Sequence, residues 1–308
     1  MMDFERELCG LAGDRVKKDE PLSRHTTFRI GGPADYFVTP ESEDELAAVV
    51  ALCRRFEIPF FLLGNGSDLL CADDGYRGVA VNTTACLNSV RTEGFHVFAG
   101  AGALLGSVAR EALSAGLTGL EFAAGIPGSV GGAMVMNAGA YGGEMGQVVE
   151  WVRVLTPHGE VRTVPVGEMN FAYRHSAVHK NGWIVLAACF GLQPGEPEQI
   201  RGRMDELAAK RREKQPLEYP SAGSTFKRPE GYYAARLIEE AGLKGCSVGG
   251  ACVSEKHAGF VINREEASAA DVLELCRIIK ERVKEYAGVE LEMEVEIIGG
   301  CECHFPPM

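Results

Sequence analysis

Residues 125–144 read GIPGSVGGAMVMNAGAYGGE, and residues 64–70, directly after the apolar run PFFLL (59–63), read GNGSDLL. Glycine at this density leaves backbone N–H groups uncovered, so each stretch is able to close around an anion. The second, Pro127-Gly128-Ser129-Val130-Gly131-Gly132, also leads into helix-compatible residues, whose N-terminal dipole attracts negative charge. Taken singly, each is more often the sequence of a tight turn than of a phosphate cradle. Two in one half of a chain point to a cofactor containing a nucleotide. Neither ends in Gly-Lys-Ser/Thr, which argues against a P-loop NTPase. Gly100-Ala101-Gly102 follows a strand pattern, but the next glycine, Gly106, comes one residue too late for the dinucleotide fingerprint.

Working outward, Ser42-Glu43-Asp44-Glu45 reads as a capping box. Leu46, Val49, Val50 and Cys53 then recur at helical spacing, predicting a helix from Ser42 to about Phe56. Buried strands are expected at 59–63, 78–82, 90–93, 96–99 and 183–192, with a helix at 104–115 stopped by Gly116. Trp151–Thr156 and Glu160–Pro165 alternate around Pro157-His158-Gly159, a hairpin signal. A boundary is expected near GLQPGEP (191–197). Beyond it come a charged helix at 198–214 ended by Pro216, amphipathic helices at 233–241 and 268–286, and strands at 259–262 and 291–298.

Composition limits the partners. The chain has 308 residues, 46% hydrophobic and 24% charged, ordinary for a folded enzyme of about two domains. Lys+Arg number 31 against Asp+Glu 43, a net charge of −12 with no basic stripe, which disfavours a nucleic-acid partner. No apolar run approaches a membrane span, and MMDFERELCG lacks the pattern of a signal peptide, so a cytoplasmic protein is expected. The ten cysteines contain no Cys-x-x-Cys pair and read as reduced, structural residues. The terminal Cys301-Glu302-Cys303-His304 has no second ligand cluster, and no metal is expected.

Six strings in order, HTTFRIGGPADYFV (25–38), GNGSDLL, GIPGSVGGAMVMNAGAYGGE, FAYRHS (171–176), SAGSTFKRP (221–229) and LEMEVEIIG (291–299), resemble the UDP-N-acetylenolpyruvoylglucosamine reductase family. The resemblance implies an α+β fold of the vanillyl-alcohol-oxidase type. In it a two-part FAD-binding domain (20–194, divided near 82) precedes a substrate-binding domain (195–300), and the strand at about 290–299 returns to the active site. It also implies reduction of the enolpyruvyl ether of a UDP-sugar to a lactyl ether for peptidoglycan synthesis, with non-covalent FAD and NADPH as reductant. No obligate protein partner is implied.

Residue by residue, the resemblance carries FAD contacts to Arg29, Gly64, Asn65, Gly66, Ser67, Asp68, Gly125, Pro127, Gly128, Ser129, Gly131, Gly132, Asn137, Ala138 and Gly139. It makes Arg174, Ser224 and Glu294 catalytic. Ser224 matches the proton donor, although an isolated S-A-G-S reads as an ordinary turn. Arg174 would grip the substrate carboxylate and the enolate that develops from it. Glu294 would act neutral, with a raised pKa, because a bare carboxylate repels an enolate. Alternation alone puts Glu290, Glu292, Glu294 and Glu296 on one face of the expected strand, so only the resemblance selects Glu294. Tyr173, Lys214, Lys227 and Arg228 are candidate substrate contacts, and with Arg211 and Arg212 the last three form a basic cluster suited to a diphosphate. His25 and His175 read as structural. Met293, Arg228 and Glu296 depart from the residues usual in the family. The short linker before Trp151 suits a compact subtype. Two rivals remain open: another FAD oxidoreductase of the same fold, or a flavin-binding protein without catalysis.

Overall fold

The computed structural model describes residues 2–300; the terminal Cys301–His304 motif lies outside them. A four-stranded sheet runs Val16–Pro21, Pro33–Val38, Tyr76–Asn82, Phe60–Leu63 from edge to edge. Its first pair is antiparallel and the other two pairs are parallel. Parallel strands need a crossover, and helix Glu43–Arg55 carries the chain from Pro33–Val38 past the later strand Tyr76–Asn82 to Phe60–Leu63. Leu46, Val49, Val50 and Cys53 form its buried face, as their spacing demands. The capping box is only half made. Ser42 accepts the Glu45 N–H at 3.1 Å, but the Glu45 carboxylate turns to the Glu41 N–H and to Arg15, a stronger, charged partner.

A second sheet is antiparallel throughout, in the order Val161–Pro165, Val149–Leu155, Ile184–Gly191, His96–Gly100, Val90–Glu93. Helices Leu105–Ser114 and Val130–Met136 pack on it, and its apolar face shares one core with the first sheet. Helix Met2–Ala12 and strand Val16–Pro21 were not expected. Phe4, Leu8 and Ala12 bury one side of that helix, with Phe4 edge-on to Tyr36 and Phe56.

After helix Pro197–Lys214 comes a smaller layer. It comprises strands Ser247–Val248, Ala251–Val253 and Val261–Asn263 under helices Ala234–Glu240 and Ala269–Ala287. Its core of Leu237, Val253, Leu275, Ile279 and Val283 is completed by Phe28, Ile30 and Leu70 from the first part. At roughly 1.5–3 kcal/mol for each such buried side chain, this seam binds the two parts firmly. Asp73 adds a polar stitch, its carboxylate accepting the Ala269 and Ala270 N–H groups at the start of the long helix.

The expected strand 291–298 is shorter than its pattern suggests. Regular pairing is confined to Glu296–Ile298, parallel to Leu69–Cys71. Upstream, Met293 makes a single antiparallel bridge to Phe226, and the chain bends at Val295. That bend breaks the alternation: Glu292 and Glu296 are exposed, whereas Glu294 is 6% exposed.

Candidate functional site

A cleft of about 860 Å³ opens between the two parts. Both glycine turns line it. Among the expected cofactor contacts, all but Asn137 reach its wall, and so do Arg174, Ser224 and Glu294.

The two turns are locked together. Asn65 Nδ2 donates to the Pro127 carbonyl at 2.6 Å, and a Cβ on Gly64 would stand 2.1 Å from Ser129 Oγ. Gly66 has φ +59°, and a Cβ there would meet the His25 carbonyl at 2.3 Å. Ser129 caps helix Val130–Met136, accepting the Gly132 N–H. At Gly128 and Gly132, by contrast, a Cβ would meet nothing closer than 3.6 Å, and φ is not positive. Packing does not require glycine there. What the missing side chains leave is a bare backbone wall facing the cleft, which fits a flat cofactor lying against it. Asn137 serves the fold instead. In a left-handed conformation at the helix end, it donates to the Ala172 carbonyl and accepts the Gly146 N–H.

The third wall holds the polar chemistry. Gly223 turns with φ +79°, and the following residues are pinned from both sides. Thr225 N–H donates to the Gly259 carbonyl, Thr225 Oγ1 accepts the Val261 N–H, and the Thr225 carbonyl accepts the Glu294 N–H, all at 2.9 Å. Ser224 is therefore held beside Glu294 through one shared residue. Arg174, with φ +52°, donates from Nε to the Glu294 carboxylate. Burial works against the Arg174 charge, yet Glu294 outweighs it and the guanidinium's pKa rises. Burial also lifts the Glu294 carboxyl above the ordinary range, with Arg174 and then Lys227 pulling it back only in part. Both partners of the pair thus hold protons more tightly than they would in water. Asp68 goes further, pushed up to about 8 by burial first and by the Glu294 charge second.

The basic cluster expected for a diphosphate is dispersed. Lys227 is bonded to Glu292 at 2.5 Å, because its N–H pairs with the Glu292 carbonyl and their side chains emerge together. Arg228 stacks its guanidinium 4.7 Å from the Tyr233 ring centre, while its N–H donates to the Tyr173 hydroxyl at 3.0 Å. Lys214, at the exposed end of its helix, does not line the cleft, and neither do Tyr173, Lys227 and Arg228. Arg211 does. It lies against Gly125, donates to Gln215 at 2.9 Å, and has no carboxylate partner among the described residues. Burial lowers its pKa. Thr225 went unmarked by sequence reasoning, though its place inside SAGST was a usable signal. Among the described residues no helix is long and apolar enough to cross a membrane, and no group of three His, Cys, Asp or Glu residues is arranged to hold a metal.

Residues 34–165 match the profile of an FAD binding domain. Residues 215–298 match that of the C-terminal domain of UDP-N-acetylenolpyruvoylglucosamine reductase. The reductase of that name from Clostridium novyi is 53% identical over 93% of each chain, and that of Caldanaerobacter subterraneus 54% identical over 91% of this chain and 93% of its own. A crystal structure of the Thermus caldophilus reductase superposes with a TM-score of 0.78 at 39% identity, covering 92% of this chain and 99% of that one. Phl p 4, a grass pollen allergen with glucose dehydrogenase activity, shares the fold alone, with a TM-score of 0.51 at 18% identity. With both domain profiles in order and half-identity along nearly its whole length, the chain belongs to the UDP-N-acetylenolpyruvoylglucosamine reductase family.

Proposed function

We propose that this protein reduces UDP-N-acetylenolpyruvoylglucosamine to UDP-N-acetylmuramate for peptidoglycan synthesis, with FAD as its bound cofactor and NADPH as reductant. Residues 20–194 are read as the FAD-binding part and 195–300 as the substrate-binding part. A UDP-sugar and NADPH as the small-molecule partners make the cytoplasm the compartment we assign. The observation that carries the reading is the part-buried Arg174–Glu294 pair, held beside Ser224 on the same cleft as both glycine turns.

When bound, FAD would supply the hydride chemistry that links NADPH to the enolpyruvyl double bond. The turns at Gly64–Asp68 and Gly125–Gly132 would hold it, with Arg211 offering a charge to phosphate oxygens. The substrate's demands then fall on this chain's own side chains. Hydride addition to a vinyl group beside a carboxylate builds negative charge on that carboxylate, so Arg174 is placed to grip it and strengthen as the charge grows. Glu294 beside it helps only as the neutral acid, and burial favours that form. The enolate carbon then needs a proton, and the Ser224 hydroxyl donates it from a loop fixed through Thr225. Lys227, bonded to Glu292, acts on the cleft by its field rather than by contact.

The test is Ser224→Ala. The protein should purify yellow, keep NADPH-dependent bleaching of the flavin band, and lose about 10²–10⁴-fold in substrate-dependent NADPH oxidation. Unchanged turnover would sink the assignment of Ser224. A colourless wild-type protein that cannot be reconstituted with FAD would sink the function.

A further inference from the structure

Two walls of the cleft meet at one threonine. Thr27 lines the cleft from a turn closed by the Arg29 N–H on the Thr26 carbonyl at 3.2 Å. Its own N–H donates to the Gly66 carbonyl at 3.0 Å, in the first glycine turn. Its hydroxyl donates the other way, to the Ser221 carbonyl at 2.7 Å, across 194 residues of chain. The Gly66 carbonyl also stands 3.5 Å from that hydroxyl, but the single proton goes to the nearer acceptor. The branched Cβ restricts the side chain to few rotamers and so keeps the hydroxyl aimed.

Ser221 opens the loop that carries Ser224. The loop's other bonds stay within residues 195–300. The Pro220 carbonyl accepts the Asn263 N–H at 2.9 Å, Ser221 bridges Ile262, and Thr225 is held by Gly259, Val261 and Glu294. Between these anchors Gly223 turns with φ +79° and has nothing within 4 Å of its Cβ position. The seam of Phe28, Ile30 and Leu70 joins the two parts, but apolar contact has no direction and sets no register at this loop. A hydrogen bond has direction, and Thr27 supplies one.

We propose that Thr27 is a positioning residue for the proton step: by tying the Ser221 carbonyl to the Gly66 turn, it fixes how far the Ser224 hydroxyl stands from a cofactor seated on that turn. This rests on the reading of Ser224 as proton donor and of Gly64–Asp68 as a cofactor wall. Donor and cofactor are held by different parts of the molecule, so a link between the parts must set their distance. A misplacement of about 1 Å at such a step can cost about 10²-fold in rate.

The test separates the hydroxyl from the rest of the residue. Thr27→Val keeps the shape and the backbone bond to Gly66 but loses the bond to Ser221; Thr27→Ser keeps both bonds. Each is assayed as the FAD-saturated enzyme beside wild type and Ser224→Ala. Thr27→Val should lower kcat for substrate-dependent NADPH oxidation about 10–100-fold. Bleaching of the flavin by NADPH alone, and the affinity of the oxidised enzyme for the UDP-sugar, should stay within about twofold of wild type. Thr27→Ser should recover kcat to within about threefold. In a Ser224→Ala background Thr27→Val should cost no more than about twofold, because no donor is left to aim. Thr27→Ala, which cannot clash, replaces the valine variant should that one fold poorly. Wild-type kcat without the hydroxyl, a loss that serine does not recover, equal slowing of bleaching, or full additivity with Ser224→Ala overturns the proposal and leaves the function intact. Wild-type kcat in Ser224→Ala itself overturns the donor assignment and this proposal with it.

Discussion

The two glycine-rich turns look alike in sequence and are glycine-rich for different reasons. In Gly64–Asp68 the fold demands glycine: Gly64 has Ser129 against it, and Gly66 has a positive φ and the His25 carbonyl at its Cβ position. In Gly125–Gly132 a Cβ on the wall residues Gly128 and Gly132 would make only ordinary van der Waals contact, nothing nearer than 3.6 Å. One turn is bare so that protein can pack. The other is bare so that something else can approach. Glycine count alone does not separate these cases; the neighbour of the absent Cβ does.

That contrast can be broken by substitution. Gly66→Ala should cost the most, roughly 3 kcal/mol or more of unfolding free energy in a denaturant titration, since backbone must move and φ is unfavourable. A loss under about 1 kcal/mol would mean the first turn is as permissive as the second. Gly128→Ala should leave the unfolding midpoint nearly unchanged while weakening FAD about 10–100-fold, the equivalent of roughly 1.4–2.8 kcal/mol, read from flavin retention on dilution. Should the variant keep its colour as well as wild type, the bare backbone at Gly128 faces no ligand.

Asp68 sharpens the comparison, because only the first turn ends in a half-buried acid. Its folded pKa, about 8, lies above the ordinary value of 3.8, so the folded protein keeps a proton that the unfolded chain gives up. The associated stability is fully present below pH 3.8 and drains away as pH climbs to about 8. Asp68→Asn should therefore melt higher than wild type by an amount that grows from about pH 5 to 8 and then levels, roughly 1–2 kcal/mol after solvent screening. A constant difference across that window would remove Asp68 as the cause. Smallest is Ser129→Ala, which loses a helix cap worth about 1 kcal/mol while freeing space against Gly64; thermal melts with and without FAD would show it.

Much of the fold was legible because its signals are local. Ser42 before a period-3.6 stripe, the turn at Pro157-His158-Gly159 and the apolar runs at 59–63 and 183–192 each fix a neighbourhood without help from elsewhere. Strand Val16–Pro21 escaped because it is an edge strand, with Glu20 its one buried side chain. It carries no alternation to read. Helix Met2–Ala12 did carry a stripe at Phe4, Leu8 and Ala12, short and flanked by charge. The resemblance named Ser224 and Arg174, but their setting was not legible. The left-handed backbone of Arg174 belongs to a tight turn closed by mutual hydrogen bonds between Ala172 and His175, for which FAYRHS offers no glycine signal. The bend at Val295 lies between bonds to the distant Thr225 and Asp68. With it comes the burial of Glu294, which strict strand alternation would have left among exposed neighbours. The diphosphate cluster failed for a related reason: proximity in sequence said nothing about Glu292 claiming Lys227.

The parallel pairing of Glu296–Ile298 with Leu69–Cys71 has a consequence for how the molecule comes into being. A ribosome delivers the first glycine turn long before the strand that completes its edge, and Asn263 bonds to the Phe28 carbonyl across a separation of 235 residues. Closing so long a loop is slow, because its entropy must be surrendered before any contact rewards it. Until then Phe28, Ile30 and Leu70 present greasy surface to the cell. Nascent chains should therefore lean on holding factors late in synthesis, and cofactor capture should lag behind translation.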